Sequence, residues 1–144
     1  MRGGTRLVAV IVAFVAASLI IHADPGQRSR SADIQLQLGR QLFDEGLYRD
    51  ALAAYQNALK ASTPLDAKAA RAGVVRTALR VAEYDLARAE AELLLAAAPQ
   101  DPEAIALNAD AMWSAGLFEE AETGYRQALA ISPTLPRRSE EHTS

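Results

Sequence analysis

Residues 39–64 read GRQLFDEGLYRDALAAYQNALKASTP, and their order of small, aromatic and leucine positions returns in residues 74–99 and 108–133. Aligned on Ala51, Ala87 and Ala121, the copies stand 36 and 34 residues apart. A period of that length is the signature of stacked helical pairs, each too small to bury its apolar stripe except against a neighbour. The expected fold class is therefore all-α, a solenoid of helical hairpins.

Each recurring position has a physical reason. Gly46, Ala82 and Gly116 fall where one helix ends and the chain reverses, which favours a residue with little or no side chain. Tyr48, Tyr84 and Phe118 follow two residues later and are expected to plug the corner. Ala51, Ala87 and Ala121 mark the closest approach of two helices, where only a small side chain fits. Tyr55, Ala91 and Tyr125, then Ala58, Leu94 and Ala128, then Leu59, Leu95 and Leu129 continue the apolar stripe of a half-buried helix. The spacing predicts helices at about 32–45, 49–61, 66–81, 85–97, 101–115 and 119–131. Asp101-Pro102-Glu103 opens the fifth with a capping acid, a proline in the first turn and a second acid on the positive helix end. Ser31 or Asp33 is expected to cap the first.

These positions resemble the tetratricopeptide repeat family, over residues 32–133 and about three repeats, at approximately 32–65, 68–101 and 102–135. The first repeat carries the fullest pattern, with Leu38, Gly39, Gly46, Tyr48, Ala51, Tyr55, Ala58 and Leu59. The second departs most, with Val75 where the family favours glycine, Ala82 at the turn and Ala91 at the large aromatic site. The third has Ala109 at the first small position and Asn108 where leucine is usual. The resemblance implies a right-handed superhelix of six helices, here preceded by an N-terminal hydrophobic helix.

Ahead of the repeats, Arg2 and Arg6 precede residues 7–21, which are apolar throughout except for Ser18. As a helix that run spans about 22 Å, short of the ~30 Å hydrocarbon core. Residues 1–23 are expected to be a cleaved signal peptide ending at Ala23 or, second, an uncleaved membrane anchor. Either places the repeats outside the cytoplasm, in a bacterial periplasm or beyond it. Residues 24–31, DPGQRSRS, read as a linker by composition. At the other end, residues 138–144, RSEEHTS, resemble an in-frame translation of a sequencing adapter. The expectation is that they are an artefact and that the native chain continues past Pro136.

Chemistry is narrowly bounded. The chain has no cysteine, and its two histidines, His22 and His142, lie in the expected signal and the expected artefact. The stretch between them lacks the residues for Ser/His/Asp or Cys/His catalysis and for imidazole or thiolate metal sites. No phosphate-cradling motif occurs, and adjacent acids such as Asp44/Glu45 and Glu119/Glu120 sit at helix ends beside turns. No cofactor, metal or catalytic residue is expected, and the chain is not expected to be an enzyme. Residues 24–137 hold 16 acids and 12 bases, a balance that argues against a nucleic-acid surface.

Function then rests on a surface. In the family that the chain resembles, the first helices of successive repeats line a concave groove that holds a peptide or a partner's helix. Carried across by position, the groove residues are Leu36, Arg40 and Phe43, then Arg76, Leu79 and Arg80, then Asp110 and Trp113. They form a mixed-charge row, Arg40/Arg76/Asp110, beside an apolar row, Phe43/Leu79/Trp113. Such rows suit a segment with a few apolar anchors and at least one acid. The family's chaperone-tail subclass reads a terminal carboxylate with a Lys/Asn clamp. The matching positions here are Leu36, Arg40, Gly73, Glu103 and Leu107, so the clamp is absent apart from a contribution by Arg40.

The expected function is a non-catalytic protein-binding scaffold, exported or membrane-anchored, in envelope assembly or secretion. One alternative is the N-terminal interaction segment of a larger enzyme, for example a peptidase, whose catalytic domain follows the break. Another is self-association through an uncapped last helix.

Overall fold

The computed structural model describes residues 24–64 and 66–134. The expected signal or anchor and the adapter-like tail lie outside them. Among the described residues six helices follow one another: α1 (Pro25–Asp44), α2 (Tyr48–Ala61), α3 (Ala67–Arg80), α4 (Tyr84–Ala97), α5 (Pro102–Ser114) and α6 (Phe118–Ile131). Each packs on the next, and α3 also touches both α1 and α5. Thus α1, α3 and α5 form an inner layer and α2, α4 and α6 an outer one, the architecture that the repeat predicts.

The hairpin turns share one backbone solution. At each, the N–H three residues past the helix end reaches back over a turn: Leu47 donates to Leu42, Glu83 to Ala78 and Leu117 to Met112, at 2.8–3.0 Å. This closure requires a left-handed residue between, and Gly46, Ala82 and Gly116 supply it with φ of 78°, 63° and 80°. Glycine takes that conformation freely, whereas Ala82 holds its Cβ there at a steric cost.

The start of α1 corrects the linker reading of residues 24–31. Asp24 is the N-cap, its carboxylate accepting from the Gly26 amide at 3.2 Å, and Pro25 stands in the first turn. Neither Ser31 nor Asp33 caps the helix; both lie inside it. Aspartate before proline is the device that also opens α5, where Asp101 accepts from the Glu103 amide at 3.1 Å. A cap that satisfies an orphan amide, followed by a residue preset for helical φ, carries the helix into a polar stretch that by composition reads as coil.

The close-approach alanines Ala51, Ala87 and Ala121 are all fully buried. Tyr55 packs with Ala51 and Val74 in one cluster. The second cluster joins Ala72, Val75, Ala91, Leu94, Ala104, Leu107 and Ala111 across α3, α4 and α5. Corner packing is looser than the spacing suggests: Tyr84 and Phe118 are about half exposed. The rings that do meet there pair edge-to-face within one hairpin, Phe43 with Tyr48 at 5.1 Å and Trp113 with Phe118 at 4.8 Å.

Candidate functional site

The eight residues expected to line the groove all lie on α1, α3 and α5, the inner layer. Their environments differ. Leu36 and Phe43 are partly buried against the Tyr55 cluster, and Leu79 against the second cluster. The packed faces of these three complete the core. Trp113 is different: it is 55% exposed, and its ring is braced by Phe118. An indole left half in water and held by a neighbouring ring is a ready apolar anchor point.

The charged row is partly engaged from within. Arg76 forms an ion pair with Glu103 of α5, joining the second repeat to the third. Asp110 accepts a hydrogen bond from the Tyr125 hydroxyl of α6 at 2.7 Å. Arg80 places its guanidinium 5.8 Å from the centre of the Tyr48 ring, so it is steered by an aromatic face of the first repeat. Arg40 is exposed and has no ion pair among the described residues.

Tyr55 is close to the first two members of this row, Arg40 and Arg76. Its ring lies against Gly39 and Gly73, so close that a Cβ on either glycine would overlap it. Burial pushes its hydroxyl pKa up, opposed by the charges of Arg76 and Arg40 and reinforced by Asp44. The phenol therefore stays neutral, with Arg40 and Arg76 close enough to act on it. Tyr55, Glu103 and Tyr125 were not among the expected groove residues. Glu103 reads from sequence as a helix-end acid and the tyrosines as packing; their groove partners lie 27 and 15 residues away along the chain for Glu103 and Tyr125.

With this geometry in view, the first repeat domain of Spaghetti (RPAP3) in complex with an HSP90 peptide, SRMEEVD, superposes with a TM-score of 0.68 at 19% identity. The match covers 78% of this chain and 88% of that one. The chain has the tetratricopeptide-repeat fold. MamA residues 41 to the end from Desulfovibrio magneticus RS-1 superposes at 0.62 and 24% identity, over 71% of this chain and 56% of that one. The C-terminal tetratricopeptide-containing domain of a Plasmodium falciparum FK506-binding protein does so at 0.67 and 17%, over 77% and 83%. No protein-family model matches the chain, and no curated protein matches it. Within the tetratricopeptide fold, α1, α3 and α5 are the first helices of successive repeats.

Proposed function

We propose that this chain is a non-catalytic protein-interaction module that holds a partner peptide or helix along α1, α3 and α5. The observation that carries the proposal is the pairing of an exposed, braced Trp113 with an exposed Arg40 that has no ion pair among the described residues, at opposite ends of one helical layer. An apolar side chain against the indole and an acid on Arg40 would fix a segment in register. Among neighbours of the same fold, two Spaghetti domains are described bound to the HSP90 peptide SRMEEVD, and the second human RPAP3 domain in complex with an HSP70 peptide, SGPTIEEVD. Those peptides support peptide capture as the activity class. The absence of the Lys/Asn clamp here supports an internal acidic residue, rather than a terminal carboxylate, as the feature read.

The proposed setting is extracytoplasmic, in envelope assembly or secretion, resting on the basic start and apolar run in residues 1–23. Among the described residues no helix is long and apolar enough to cross a membrane.

The test is a peptide-display selection on the full chain followed by two variants. Arg40→Glu is expected to weaken the selected peptides about tenfold or more, as a reversed charge does at an acid-reading contact. Trp113→Ala is expected to weaken them similarly while leaving helical circular dichroism unchanged. If Trp113→Ala lowers the melting temperature and spares binding, the indole is a packing residue and the groove reading fails.

A further inference from the structure

On the outer layer, α2 and α4 do not pack on each other among the described residues, nor do α4 and α6, so each pair is separated by a cleft. The two clefts occupy equivalent places in the repeat and differ in content. The first, between α2 and α4, has a volume of about 320 Å³ and is floored by Val74. It contains its own ion pair: Glu90 lines it and meets Arg71 of α3 at 3.0 Å. The second, between α4 and α6, is about 710 Å³. Thirty-four residues on from Arg71, Val74 and Glu90 stand Ile105, Asn108 and Gly124. The built-in cation and its partner acid are both gone, which widens the cleft, and a carboxamide has replaced the valine floor.

What remains in the second cleft is one-sided. Leu95, Ile105 and Met112 give it apolar walls, Glu119 and Glu120 stand on the α6 side, and no lysine, arginine or histidine lines it. Glu119 and Glu120 form no ion pair among the described residues, unlike Glu90. Asn108 is only 7% exposed, and its one side-chain hydrogen bond among the described residues is a weak donation from Nδ2 to the Met112 sulfur at 3.7 Å. Its carboxamide oxygen accepts nothing from the described residues. Buried carboxamides ordinarily find partners on both atoms, so this floor offers an unused acceptor in a cleft that Glu119 and Glu120 also line.

We propose that the α4/α5/α6 cleft is a second binding site, separate from the inner groove, and that it takes an arginine or lysine side chain presented by a partner peptide. The aliphatic stem lies along Leu95, Ile105 and Met112, and the cationic head reaches Asn108 Oδ1 and the Glu119/Glu120 carboxylates. The occupant thus restores from outside the cation that Arg71 provides from within one repeat earlier.

The experiment titrates the isotope-labelled full chain with the capped tripeptide Leu-Arg-Leu, with Leu-citrulline-Leu as the neutral isostere and Leu-Glu-Leu as the charge reversal. The arginine peptide is expected to shift the Gly124 and Thr123 amides and the Asn108 side-chain amide, with the citrulline peptide at least about tenfold weaker. The paired change Glu119→Gln/Glu120→Gln touches only exposed residues and is expected to weaken the arginine peptide by a similar factor. Asn108→Val, which installs the residue that the preceding repeat uses, is expected to weaken it less. Equal shifts with citrulline, shifts centred on the Trp113 indole, or no shift at millimolar peptide would each overturn the proposal.

Discussion

Where the first repeat meets the second, the Tyr55 ring lies against Gly39 and Gly73; where the second meets the third, the equivalent residue is Ala91, packed among Val75, Leu94, Ala104 and Leu107. One contact places a large side chain against bare backbone, and the other meshes medium and small side chains. Both fill the same inter-helix space, because what the stack fixes is summed volume rather than any one residue. The second contact also carries two ion pairs between α3 and the α5 start, Lys68 with Asp101 and Arg76 with Glu103, which the first contact has no counterpart for among the described residues. The first interface therefore centres on one large ring and the side chains packed around it, while the second adds ion pairs to a mesh of smaller side chains.

The largest effect is expected from Tyr55→Ala, which empties the first interface and should cost about 3–5 kcal/mol in urea unfolding. Gly73→Ala should cost about 1–3 kcal/mol by forcing a Cβ into the ring. Combined with Tyr55→Ala, it should cost almost nothing further. That non-additivity is the sharpest check, since neighbouring residues that share one space couple and distant ones do not. Additive losses would mean that the ring and the glycine do not compete for the same volume.

Smaller effects separate the remaining features. Ala82→Gly relieves the left-handed alanine of the middle turn and should stabilise the chain by about 1 kcal/mol, whereas Gly46→Ala and Gly116→Ala should destabilise it by about as much. Arg76→Ala should cost less than about 1 kcal/mol, because the pair is partly in water, and the loss should shrink in high salt. The least is expected of the Tyr55 hydroxyl. Its folded pKa is raised, so its contribution is fully present below the unfolded tyrosine value of about 10. It is lost as pH climbs above that, because the unfolded state ionises first. Tyr55→Phe should flatten this alkaline decline in an unfolding series.

The legibility of the fold follows the same division. The turns and the outer helices could be placed from sequence because glycine, alanine and proline act locally, and five of the six helices begin and end within about two residues of the positions that the spacing predicts. The start of α1 was missed although Asp24-Pro25 is the same signal as Asp101-Pro102, because the RSRS that follows carries no apolar period. For the groove, the helix faces were legible but the partners were not. Arg76 with Glu103 and Asp110 with Tyr125 depend on how far each hairpin rotates past the last, a quantity no residue spacing encodes. The outer clefts went unread for a related reason: Gly124 and Asn108 look like ordinary departures from a repeat until Arg71 and Glu90 are seen to fill the equivalent place.

The inner groove is tested most directly by its own reporter. Trp113 is the single tryptophan of the chain and is about half in water, so the emission of the full chain can be followed while display-selected acidic peptides are added. A blue shift that saturates with peptide, and that moves to about tenfold higher concentration in Arg40→Glu, is the predicted result. Peptides that bind without moving the tryptophan emission, and equally well to Arg40→Glu, would contradict it.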